Sequence, residues 1–401
     1  MSNLKYWLWL SALRGVGRTM KLQLLNGMLT PENIYCADEV ELAQAGADRR
    51  TIDAIREGAS TAEADRIMGE CHRLHLRVIT IQDTEYPDRL KSIYDPPLLL
   101  YVQGRMPVMD EEVAIAMVGT RDCSPYGILA AETLSHAMAK QGALIVSGLA
   151  RGVDAASHRG ALLAGGLTAA VLGNGHDVIY PPENRGLYED IAASGVILSE
   201  YPPGTKPEGR NFPVRNRIIS GLSLATVVVE APLGSGALIT AETALEQGRD
   251  VFAVPGPITS KTSQGTNRLL RDGAGVAGES WDILREYVGR YPHKLRCVHV
   301  EPPKTAGYEA RQTAAQAVPV PPKSEESPAL VLSADSGLTD DQIAVLRYLR
   351  KAGTSLVDDI IEGTQIPARR VLSTLTLLEL DDYVRQESGK RFSLAVTLEE
   401  P

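Results

Sequence analysis

Short apolar runs punctuate the middle of this chain at regular intervals, at residues 114–118, 143–146, 168–172, 196–198, 225–229 and 251–254. Each is rich in β-branched residues and apolar at consecutive rather than alternate positions. A strand buried on both faces needs that pattern, so the runs predict a parallel sheet covered on both sides. Amphipathic helical spacing fills the gaps at 127–141, 154–164, 186–193 and 239–247. The alternation predicts an α/β, Rossmann-like doubly wound core over residues 111–291.

The flanks follow other patterns. Residues 1–75 are helical in spacing, with Trp7, Leu10 and Leu13, then Leu22, Leu25 and Met28, on successive turns. Between them lies Leu13-Arg14-Gly15-Val16-Gly17. In a helix-hairpin-helix (SAM-like) module such a hairpin offers backbone amides to a phosphate. In a plain αα-turn the glycines only end one helix and start the next. Both readings stay open; the low local positive charge favours the turn. Residues 76–110 form a connector with extended pieces at 77–81 and 96–102. Residues 292–337 place Pro302, Pro303, Pro319, Pro321, Pro322 and Pro328 among Ala, Gln, Lys and Glu, which predicts a disordered linker. Order returns at 338–401. Thr339 is an N-cap, and a second helix at 355–362 stops at Gly363. A third, with Pro367 in its first turn, carries Val371, Leu375 and Leu378. Strands at 383–387 and 391–394, turning at Ser388-Gly389-Lys390, complete a winged-helix domain.

Composition narrows the class. With 401 residues, 44% hydrophobic and 23% charged, the chain reads as a soluble protein of several domains. A net charge of -9 argues against coating nucleic acid over the whole surface but not against a local basic groove. Cys36, Cys71, Cys123 and Cys297 have no CxxC spacing and no accompanying His cluster. Free thiols in a reducing cytoplasm are expected, with no disulfide, metal or cofactor. No apolar run reaches the roughly 18 residues of a membrane span.

The candidate chemistry gathers where strands end, which is where open α/β sheets hold ligands. The first strand runs into Gly119-Thr120-Arg121, whose guanidinium can grip a phosphate. The second runs into Ser147-Gly148-Leu149-Ala150-Arg151-Gly152, where glycines permit an anion nest. Beyond it Asp154 caps a helix and His158 follows at i+4. A helix cap with a packed histidine explains these two better than an acid/base pair, because no nucleophile accompanies them. Gly234-Ser235-Gly236 opens a helix and offers free amides. It lacks the P-loop lysine, and GxGxxG is absent, so neither NTP hydrolysis nor a dinucleotide site is indicated. Basic residues concentrate at 205–217, where Lys206, Arg210, Arg215 and Arg217 face a single acid, Glu208. Phe212 and Asn216 interleave with them. An aromatic ring beside arginines can stack a base and neutralise a phosphate at one spot, which suits single-stranded nucleic acid. Either arginine could instead pair with Glu230 or Glu242, and Arg217 is the better candidate for a structural role. Over 338–401, eight basic residues face eleven acidic ones, so protein contact or weak duplex binding is favoured there over major-groove reading.

In order, the core carries VGTR (118–121), SGLARGVD (147–154), YPPEN (180–184), SEYPPG (199–204), FPVRNR (212–217), VVEAPLGSGALIT (228–240), VPG (254–256) and GTNRLL (265–270). The series resembles the DNA-processing protein A (DprA/Smf) family; Val153 replaces the usual isoleucine, and the lysine positions before FPVRNR are occupied differently. The resemblance implies a cytoplasmic, homodimeric, non-enzymatic single-stranded DNA-binding protein. Such proteins protect incoming DNA in natural transformation and load the RecA recombinase. By motif it puts Arg121, Phe212, Arg215 and Arg217 in the DNA pocket, with Ser147, Gly148 and Lys206 nearby. The rival expectation is a Rossmann-like nucleotide phosphoribohydrolase using the 234–236 loop, with Glu242 as a candidate catalyst.

Overall fold

In the computed structural model, residues 4–298, 300, 329–331, 338–380, 383–387, 391–394 and 396–399 are described. The helical spacing of the first segment resolves into α1 (Leu4–Ala12), α2 (Arg18–Met28), α3 (Pro31–Cys36), α4 (Glu39–Gln44), α5 (Arg49–Glu57) and α6 (Ala62–Arg73). Side-chain caps start several of them. Asp38 and Glu41 form a reciprocal capping box on α4, and Asp48 accepts from the Thr51 amide on α5. Trp7, Leu10, Leu24, Ile34, Leu42 and Ile67 are fully buried among these helices. In the 13–17 hairpin, Leu13 and Val16 are buried while Arg14, Gly15 and Gly17 face outward.

The segment expected as a connector is instead part of the sheet. It supplies β1 (Arg77–Thr80), α7 (Asp88–Lys91) and β2 (Leu99–Gly104), with β1 antiparallel to β2. The alternating core follows: β3 (Ala114–Val118), α8 (Pro125–Lys140), β4 (Leu144–Ser147), α9 (Val153–Leu163), β5 (Thr168–Leu172), α10 (Arg185–Ser194), β6 (Val196–Ser199), α11 (Asn211–Gly221), β7 (Ala225–Val228), α12 (Gly236–Glu246), β8 (Asp250–Ala253), α13 (Gln264–Arg271), β9 (Gly275–Val276) and α14 (Ser280–Leu284). The sheet order is β1-β2-β6-β5-β4-β3-β7-β8-β9. From β6 to β9 every pairing is parallel, while β2 joins β6 antiparallel.

Burial explains the continuous apolar runs. Ala114, Ala116 and Val118 of β3 enter one hydrophobic cluster, and Ile115 and Met117 enter another. Alternate side chains of one strand therefore fill two cores, one on each face. The FPVRNR block, which had no element assigned to it, is the first half of α11. Pro213 sits in the first turn, where a missing N–H costs no helical bond.

The chain divides into two compact units, residues 1–305 and 306–401. The expected linker begins inside the first. There Leu295 is buried, and the Arg296 amide donates to the Gln141 carbonyl at 2.9 Å. Most of its remainder, 299, 301–328 and 332–337, lies outside the described residues.

The second unit contains β10 (Ala329–Val331), α15 (Asp340–Ala352), β11 (Ser355–Leu356), α16 (Val357–Thr364), α17 (Ala368–Leu380), β12 (Val384–Glu387), β13 (Arg391–Leu394) and β14 (Thr397–Glu399). The segment 329–331, expected in the linker, pairs with β14. The expected hairpin forms, with Val384 opposite Leu394, while its turn at 388–390 lies outside the described residues. Thr339 caps α15 as expected. Gly363 lies inside α16, which is capped by Gln365 with φ 59°. Pro367 precedes α17 rather than entering its first turn.

Candidate functional site

The chain leaves β3 through β4, β5 and β6, then returns to β7 on the other side of β3. A crevice opens at such a switch point, beyond the carboxyl ends of the two strands. Here the Thr120 amide donates to the Glu230 carbonyl at 2.7 Å, tying the two strand ends together. A groove of about 600 Å³ lies above them, lined by Thr120 and Arg121, by Phe212, Arg215 and Asn216, and by Gly234, Ser235 and Gly236. Segments distant in sequence thus meet along one edge.

Arg121 is exposed, and its guanidinium carbon stands 4.9 Å from the centre of the Phe212 ring. Cation and aromatic face are therefore presented together. Tyr180, not singled out from the sequence, adds a second ring 5.7 Å from Phe212 and tilted by 31°. Its signal was the aromatic in YPPEN. The space beside Phe212 depends on Gly173, where a Cβ would come within 2.9 Å of the ring. Across the groove, Ser235 caps α12 and accepts from the Ala237 amide at 3.3 Å, while Gly234 (φ 80°) turns the loop. Gly234 and Gly236 are exposed.

Arg215 departs from the expected phosphate contact. It is buried, and its Nη1 donates to the Gly148 carbonyl at 2.8 Å and to the Val171 carbonyl. Its guanidinium carbon lies 5.9 Å from the Phe212 ring. Burial lowers its pKa to about 10, partly opposed by Asp154, so it remains a cation at neutral pH. Arg217 is likewise internal. Its partners are neither Glu230 nor Glu242 but Glu200 at 2.8 Å and Asp95 at 3.2 Å. Asn216 links the two helices of the groove wall: its Nδ2 donates to Thr240 Oγ1 at 2.8 Å and its Oδ1 accepts from Arg215 Nε at 3.1 Å.

Ser147 also turns inward, donating to the Met117 carbonyl at 2.6 Å. Gly148 lines a small recess that opens toward Arg121, Tyr180 and Phe212. Lys206 and Arg210 are exposed, and Arg210 pairs with Glu208 at 2.6 Å. Lys206 does not line the groove.

The Asp154 and His158 pair behaves structurally. The helix cap falls on Gly152 rather than Asp154, whose carboxylate accepts from the Ala150 amide at 3.4 Å. Burial raises its pKa. His158 is fully buried with Nδ1 2.7 Å from Thr168 Oγ1, and burial drops its pKa to about 3. Of the two acids considered beside the groove, Glu230 is buried and satisfied by Ser124 and Thr262, and Glu242 is exposed outside the groove lining.

These features define a class: a Rossmann-like α/β protein with an aromatic–arginine groove at its switch point and a separate winged-helix unit. Residues 77–288 match the family model for DNA recombination-mediator protein A, and residues 325–390 match that of the DprA winged helix domain. The chain belongs to the DprA/Smf family. Protein Smf of Synechocystis sp. is 41% identical over 69% of this chain and 70% of its own length. The putative DNA processing protein DprA of Mycobacterium tuberculosis is 35% identical over 87% of this chain and 83% of its own. Among solved structures, DNA processing protein A from Streptococcus pneumoniae superposes with a TM-score of 0.63 at 34% identity, over 71% of this chain and 99% of that one.

Proposed function

We propose that the protein binds single-stranded DNA in the switch-point groove, protects it, and passes it to a RecA-type recombinase during uptake and recombination of DNA. The observation that carries this reading is the exposed Arg121 guanidinium above Phe212, with Tyr180 beside it. Duplex DNA hides its base faces, whereas a single strand can stack one on each ring and lay a phosphate against Arg121. Amides of Gly234 and Gly236 supply neutral donors to the next phosphates. The names of the relatives, DNA processing protein and DNA recombination-mediator protein, support the pathway. The protein acts as a cytoplasmic homodimer by binding rather than by catalysis. Among the described residues, no helix is long and apolar enough to cross a membrane.

The test is a titration of single- and double-stranded oligonucleotides over a salt series, with wild type and Arg121→Ala. Wild type is expected to prefer the single strand, and log affinity to fall with log salt by about 0.7 per phosphate neutralised. Arg121→Ala is expected to weaken binding strongly. Near-wild-type affinity in that variant at moderate salt sinks the groove assignment.

A further inference from the structure

Helix α11 carries two buried arginines, two residues apart, that leave it in different directions. Arg215 reaches the carbonyls beyond β4 and within β5. Arg217 reaches Glu200, just past β6, and Asp95 on the 92–98 segment. Together they fix the rotation of α11 about its axis, and with it the direction in which Phe212 faces.

The second anchor does not end at the sheet. The same Asp95 oxygen that accepts from Arg217 also pairs with Arg18 Nε at 2.9 Å. Arg18 is the first residue of α2, so an N-terminal helix completes the brace. One turn on, Lys21 is only 5% exposed, and its Nζ donates to the Ser11 carbonyl at 2.8 Å, pinning α2 to α1. The remaining oxygens of Asp95 and Glu200 are buried without hydrogen-bond partners. Such a network is a weak source of stability: apolar residues of equal volume often serve as well, whereas charges with fixed directions set geometry.

We infer that the N-terminal helices act on the groove, with Arg18 and Asp95 as positioning residues that orient α11 and so hold Phe212 against the bound base. This rests on the single-strand reading above. Neither residue lines the groove, so the effect travels through Arg217.

Charge separates bracing from long-range attraction. Arg18→Ala removes a positive charge and Asp95→Ala removes a negative one, yet each breaks the same link. Their affinities are measured with full-length protein for a thymidine oligonucleotide and for an abasic strand of equal length. Both variants are expected to bind the thymidine strand about five- to tenfold more weakly, the lower range of one stacked base. Binding of the abasic strand should change little, and in a Phe212→Ala background neither substitution should add a further loss. Opposite shifts in the two variants, or equal losses on both strands, overturn the inference in favour of simple electrostatics or general destabilisation. If wild type binds neither strand, the single-strand reading itself fails. If wild type binds and Arg121→Ala does not, while both brace variants match wild type, only the brace is lost. Arg18→Lys, which keeps the charge and can still reach Asp95, should recover most of the affinity.

Discussion

Phe212 owes its open face to a glycine. At Gly173 a methyl group would stand 2.9 Å from one ring carbon and 3.2 Å from the next, closer than carbon atoms settle. Gly173→Ala should therefore displace the ring and cut affinity for single strands, with little change in the thermal midpoint. An affinity equal to wild type would show that the ring is not a contact surface. Phe212→Ala itself should cost about 1–3 kcal/mol of single-strand affinity, the worth of one stacked base in the proposed binding mode. Gly152 is a different case: with φ 71° and a Cβ position 2.5 Å from the Thr120 carbonyl oxygen, substitution there should disturb the fold of the whole strand end. The sequence made Phe212 and Arg121 legible because an aromatic among cations and an arginine after a strand are rare combinations. It could not show that Arg215 points inward. Residue type is the same for a buried cation and an exposed one; only the carbonyls of Gly148 and Val171, 67 and 44 residues away, distinguish them.

At the scale of elements, α11 was invisible as a helix because Pro213 and a run of polar side chains mask its periodicity. Its buried positions begin at Arg215, so the core-facing stripe starts with charges. The strands were easier, since a short continuous β-branched run bounded by turn residues suits a buried strand far better than a helix. The first two, β1 and β2, read only as extended pieces because nothing in their sequence reveals that β2 will lie antiparallel to β6. The consequence of packing α11 through ions is a steep dependence on both partners. Arg217→Ala leaves Glu200 and Asp95 with little exposure and no counter-charge on α11. Removing one side of a buried ion pair costs about 3–5 kcal/mol, so this variant should unfold at clearly lower denaturant. A shift under about 1 kcal/mol would mean that Arg18, which still pairs with Asp95, and water compensate the two acids.

For the molecule as a whole, stability should respond to pH through the buried histidines. Burial holds His158 at a pKa of about 3 and His176 at about 4, and lowers His136 as well. His176 is packed with Nε2 3.0 Å from the Tyr101 carbonyl and Nδ1 3.3 Å from the Tyr188 hydroxyl. An unfolded histidine takes up a proton near pH 6.5, so below that pH the unfolded state binds protons that the folded state refuses. Stability is therefore full above pH 6.5 and is lost as pH falls, until the folded values are reached. The slope approaches about 1.4 kcal/mol per pH unit for each such histidine. Between pH 7.5 and 5 ordinary carboxylates stay largely ionised, and the raised pKa of buried Asp154 acts in the opposite direction to the histidines. Trp7, Trp9 and Trp281 all lie in the first unit, so tryptophan emission during denaturation follows that unit alone. The midpoint should fall steadily from pH 6.5 to 5, and His158→Asn should flatten the fall by roughly the share of one histidine. A midpoint independent of pH across that window would mean that these rings take up protons in the folded protein, which their burial beside Thr168 and Tyr101 opposes.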